Sequence, residues 1–96
     1  MIHITKNVYR DIAEQLREEI GKRDYYSGHI EQSTPEYDIT LTSTLVVYHT
    51  THTAPDGNFT SINNIVPIWW SCSTLTDKGE RLTDFDFNHI KALVCE

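Results

Sequence analysis

Residues 37–51, YDITLTSTLVVYHTT, decide the fold: Ile39, Leu41, Leu45 and Val47 alternate with Thr40, Thr42 and Thr44. A period of two sends the aliphatic residues to one side of an extended chain and the threonines to the other. β-branched residues favour that conformation, so this stretch reads as a long, half-buried antiparallel strand. Outward from it, Ala54-Pro55-Asp56-Gly57-Asn58 is a strong reversal signal, after which residues 59–75, FTSINNIVPIWWSCSTL, form a further strand. On the other side, Ser33-Thr34-Pro35-Glu36 is a turn and residues 24–32 make an earlier strand. Asp77-Lys78-Gly79 reverses the chain again into a short strand near residues 80–83. The sheet expected is therefore a meander of three or four antiparallel strands.

Ahead of the sheet the period changes. Val8, Ile12, Leu16 and Ile20 recur every fourth residue with Tyr9 and Ala13 beside them, while Arg10, Asp11, Glu14, Arg17 and Glu18 take the opposite side. Thr5 is suited to cap the start and Gly21 the end, which predicts an amphipathic helix over residues 6–20. Phe87, Ile90, Leu93 and Val94 return to helical spacing behind Thr83, Asp84 and Asp86, each of which can serve as an N-cap. The expected class is α+β, one domain over residues 1–96: an N-terminal helix packed on a three- to four-stranded antiparallel meander, with a short C-terminal helix near the second face of the sheet.

The middle of the sheet is apolar on both faces. Strict alternation groups Ile62, Val66, Ile68 and Trp70 on one side and Ile65, Pro67 and Trp69 on the other, while Val46 and Tyr48 stand opposite Leu45 and Val47. One helix covers one face, so the second face must be covered by the C-terminal helix, another subunit or a partner. Pro67 has no N–H to donate and marks an edge strand or a bulge. Tyr48, Ile65, Pro67 and Trp69 are the expected interaction surface, for a protein partner or for self-association as a homodimer.

Composition narrows the function classes. Eight Lys plus Arg against fourteen Asp plus Glu leave a net charge of -6, with the basic residues scattered, which argues against nucleic-acid binding through phosphates. Aromatic residues that stack with bases are usually ringed by Lys and Arg, and these strands hold Glu31, Glu36 and Asp38 instead. The N-terminus turns polar within five residues, and no apolar run approaches a membrane span. Two cysteines, Cys72 and Cys95, are too few for a disulfide scaffold, so the expected compartment is the cytoplasm.

No nucleophile elbow, glycine-rich phosphate loop, C-x-x-C or H-E-x-x-H occurs, and the four glycines are each explained by a turn, cap or bulge. Five histidines offer a second functional class, a small metal-binding protein or metal-dependent enzyme. His29, His49 and His52 would form such a site if the strands paired in the right register, although His49 and His52 fall on opposite faces of a regular strand. Asp84 and Asp86, with His89 behind them, could hold Mg²⁺ or share a proton, but the same carboxylates suit helix capping better. No cofactor is expected.

Over DYYSGHI, ITLTSTLVVYHT, IVPIWWSCST and LTDFDFNHI the chain resembles small uncharacterised proteins of gut Bacteroidetes, some of them associated with mobile elements. The resemblance implies a cytoplasmic α+β domain and brings no catalytic residues with it. The leading expectation is a non-catalytic protein-interaction module.

Overall fold

The computed structural model describes residues 1–95. The elements run α1 (Lys6–Ile20), β1 (Tyr25–Ser33), β2 (Asp38–Ala54), β3 (Gly57–Thr76), β4 (Gly79–Glu80) and α2 (Phe87–Val94). The strands form one antiparallel sheet in sequence order, β1-β2-β3-β4, so the class and the meander are as expected. No helix among the described residues is long and apolar enough to cross a membrane.

Helix α1 begins where Thr5 Oγ1 accepts the Val8 N–H, at 3.4 Å. It ends at Gly21, whose φ of +55° is a left-handed conformation that costs residues with a Cβ more. Its buried stripe is Val8, Tyr9, Ile12, Ala13, Leu16 and Ile20, and it lies on the face of the sheet that carries Tyr26, Ile30, Ile39, Leu41, Leu45, Val47 and Ile65. Helix α2, capped by Asp86 through the Asn88 N–H at 2.9 Å, buries Phe87, Ile90 and Val94 in that same core. This corrects one expectation. The terminal helix packs beside α1 rather than across the second face, because Arg17 donates to the Leu93 carbonyl and Asp86 N–H donates to Tyr9 Oη at 3.0 Å, tying α2 to α1.

The fourth strand is shorter than expected. After Gly79–Glu80 the chain leaves the sheet, and residues 82–84 are held by the N-terminus through Ile2 N–H to the Leu82 carbonyl (2.9 Å) and Asp84 N–H to the Ile2 carbonyl (3.1 Å).

Two irregularities in the β2–β3 pairing fix which side chains face where. The register passes from Thr44↔Trp69 to Leu45↔Pro67, leaving Ile68 as an extra residue, and from Tyr48↔Asn64 to His49↔Ile62, leaving Asn63. Each extra residue inverts the alternation beyond it. Ile62, Ile65, Pro67 and Trp70 therefore share the helix-covered face, while Val66 and Trp69 share the open one, in place of the strict alternation expected along β3.

The sheet is also longer than the body it belongs to. Pairing with β1 stops at Tyr25↔Val46, yet β2 and β3 continue paired to Ala54↔Gly57. The outer part, residues 49–62, is a two-stranded arm closed by a turn in which Gly57 takes φ +136°. It stretches the molecule to 54 × 24 × 17 Å, with a radius of gyration of 14.9 Å. A compact chain of this length would have about 12.5 Å.

Candidate interaction surface

Both helices occupy one face, so the other is bare. Its side chains form rows across the strands, set by the register. Ser27, Thr44 and Trp69 make one row, Tyr25, Val46 and Val66 the next, and Tyr48 and Asn64 the third. Trp69 is 55% exposed, Tyr25 56% and Tyr48 53%. Neighbouring strands lie about 4.8 Å apart and alternate residues about 7 Å, so these rows form one contiguous patch. Ser27 and Thr44 meet hydroxyl to hydroxyl at 3.1 Å on its border.

No charged side chain stands in those three rows. The acids gather further along the same face: Glu31 in the row of Thr40 and Ser73, then Asp38 in the row of Leu75, with Glu80 accepting from Ser73 Oγ at 3.1 Å. In the other direction the face runs onto the arm, where Thr50 pairs with Ser61 and His52 with Phe59. His52 stacks on Phe59, their rings 4.7 Å apart, and its Nε2 lies 2.8 Å from Ser61 Oγ. The open face thus has an apolar centre, an acidic, Thr-rich end and an arm whose open side carries no acid, its one acid, Asp56, standing in the closing turn.

Of the residues expected on an interaction surface, the structure brings together two. Tyr48 and Trp69 belong to the apolar centre. Ile65 is 0% exposed in the core, and Pro67 is half-buried on the helix-covered side, because the Ile68 bulge turns them away from Trp69. Pro67 does lie in an outer strand, since β4 pairs only with Leu75 and Thr76. Tyr25, Val46, Val66 and Phe59 complete the face and lie outside the four residues that the sequence places on the interaction surface. Alternation within β1 and β2 gives the parity of Tyr25 and Val46, but the register that sets them beside Trp69 is a long-range property.

The histidines are not assembled. His29 is on the open face, 3.9 Å from Glu31, while His49 is on the covered side with Nε2 3.3 Å from the Gly21 carbonyl and Nδ1 3.5 Å from Asp24. His52 is in the arm. Among the described residues no three His, Cys, Asp or Glu side chains converge to hold a metal ion.

The aspartates are engaged elsewhere. Asp86 caps α2, and Asp84 accepts the Ile4 N–H at 2.7 Å while its other oxygen lies 2.6 Å from His3 Nδ1. The Ile4 N–H, and then His3, hold the Asp84 carboxyl below its usual range. His3 takes the place expected for His89, whose ring instead packs against Tyr9, the centroids 4.8 Å apart and the planes tilted by 37°. A separation of 81 positions hid that pair from the sequence.

Burial pushes the Cys72 thiol up to about 11, and burial likewise raises the phenols of Tyr9, Tyr26 and Tyr37. Groups held protonated this way are poor nucleophiles and bases near neutrality.

The chain matches no family model, no curated protein and no solved structure.

Proposed function

We propose that this protein is a non-catalytic interaction module that works as a homodimer, two copies meeting through their open sheet faces. The observation that carries the reading is the uncharged cluster of Tyr25, Val46, Tyr48, Val66 and Trp69 on a face that neither helix covers. Aromatic residues are favoured at interfaces because their large apolar area becomes worth most when water is excluded.

Charge selects the occupant. A nucleic acid or acidic peptide would meet Glu31, Asp38 and Glu80 along this face, with no Lys or Arg in its rows to compensate. A basic partner would find its counter-charges at the acidic end, away from the apolar centre. A second copy offers an identical uncharged cluster, and self-complementarity is what a two-fold interface requires.

Sedimentation equilibrium from micromolar to millimolar concentration tests this. The expected result is a reversible rise to twice the chain mass, abolished by Trp69→Glu with the circular dichroism spectrum unchanged. A wild-type chain that stays monomeric throughout would end the reading.

A further inference from the structure

The apolar centre is too small to hold two copies together by itself. Three rows over three strands have a footprint of roughly 300 Å² at these spacings, whereas stable interfaces bury about 800 Å² per partner. The arm supplies the difference if it takes part. The whole face, including the arm, has a footprint of about 700 Å².

The arm also has the length to take part. Strand β2 contains 17 residues, and Val46, in the central row of the apolar cluster, is its middle residue. Asp38 and Ala54 lie equally far from it on either side. A two-fold axis across the strands at Val46 would lay the arm half of each β2 over the body half of its partner's β2, end for end. Aligned packing of two sheets permits this arrangement.

The chemistry of the two halves agrees with that placement. The body half of the open face is Thr40, Thr42, Thr44, Ser71 and Ser73, with His29 beside Thr42 and with Glu31, Asp38 and Glu80 as its acids. The facing side of the arm is Thr50, Ser61, His52 and Phe59, which bring no acid to those three; the arm's one acid, Asp56, stands in the closing turn beyond the last pair, Ala54↔Gly57. His52 and Thr40 are equidistant from Val46, so His52 falls on the row of the partner's Glu31. The alternative axis, parallel to the strands over β2, would instead bring the two acidic ends to the same level, with Asp38 on its own copy. Beyond its base at His49 and Ile62, which pack on the body, the arm is a two-stranded ribbon with no cover, a structure only marginally stable in water, so a surface to lie on answers a need of its own.

We infer that in the homodimer the β2–β3 arm of each copy lies across the Thr-rich half of the partner's open sheet face, the two sheets being antiparallel about Val46. This rests on the dimer proposed above and goes beyond it by assigning the arm and the orientation.

Two experiments test it. In a Cys95→Ser background, chains carrying Thr42→Cys and chains carrying Thr50→Cys are mixed and treated with a short bis-maleimide. Crosslinks are expected in the mixture and not in either chain alone. Crosslinks in each chain alone and none in the mixture would overturn the orientation. Replacing residues 51–60 by Asn-Gly should weaken dimerisation at least tenfold, as should Phe59→Ala, with thermal unfolding of the body still cooperative. If wild type is dimeric and the shortened chain dimerises equally well, the arm inference fails while the dimer stands; if wild type is monomeric, both fail.

Discussion

Gly28 lies on the helix-covered face of β1, opposite Ser43, and the Tyr26 side chain folds along the strand over it. A Cβ at position 28 would sit 2.9 Å from the Tyr26 hydroxyl oxygen and 3.2 Å from the ring carbon that bears it. Tyr26 is only 3% exposed, so its ring has nowhere to retreat without disturbing α1 and the core around it. Forcing one methyl group into a packed site costs about 1–3 kcal/mol. Against this, Gly→Ala restricts the unfolded chain, a gain of about 0.4–1 kcal/mol where the backbone suits alanine. The net expectation for Gly28→Ala is a loss of roughly 1–2 kcal/mol, which in a chain of this size lowers Tm by about 5–15 °C.

Urea and thermal unfolding measure the loss, and the Tyr26→Phe background assigns its cause. That change deletes the atom at 2.9 Å, so Gly28→Ala should cost less there, and the double-mutant cycle should show a coupling of about 0.5–1.5 kcal/mol. The Tyr26 hydroxyl is buried with no hydrogen-bond partner among the described residues, so Tyr26→Phe alone should leave stability unchanged or raised. A stabilising Gly28→Ala, or strict additivity with Tyr26→Phe, would refute the reasoning.

The raised Cys72 thiol predicts slow alkylation: at pH 8 the thiolate fraction is about a hundredth of that of an ordinary thiol, so iodoacetamide should label Cys72 roughly a hundredfold more slowly than free cysteine, followed by mass spectrometry. Asp84 is held below its ordinary value of 3.8 by the Ile4 N–H and His3, so its contribution is complete above that pH and is lost as pH falls through the lower folded value. Asp84→Asn should therefore be less stable than wild type near neutrality, the gap closing in acid; a gap independent of pH would show that the carboxylate is not the cause. Asp86→Ala removes the cap of α2 and should cost about 1 kcal/mol by urea unfolding, with Asp86→Ser recovering most of it.

Much of this architecture is legible locally. The α1 stripe from Val8 to Ile20, its Thr5 and Gly21 ends, the alternation from Ile39 to Val47 and the Pro55-Asp56-Gly57 reversal depend on neighbours within a few residues, and such signals survive in any fold that uses them. The candidate surface was half legible. Tyr48 and Trp69 stood out as apolar residues on a face that needed cover. Ile65 and Pro67 group with them under strict alternation because Pro67 signals an edge strand or a bulge without deciding between the two, and the single extra residue at Ile68 reverses everything beyond it.

The sequence by itself therefore determined the element types, their order, the antiparallel meander and an apolar level of the sheet with more surface than one helix covers. Tertiary structure decided which face stays bare, since α2 settles beside α1 through contacts such as Asp86 with Tyr9, some 77 positions apart. It also decided that Trp69 joins Tyr25 and Val66, and that β2 and β3 outrun β1 to make an arm. The physical reason is common to all three. Periodicity states which side of its own strand or helix a residue occupies, whereas the partner of that side is set by pairing register and helix docking between distant segments, whose energies no local window contains.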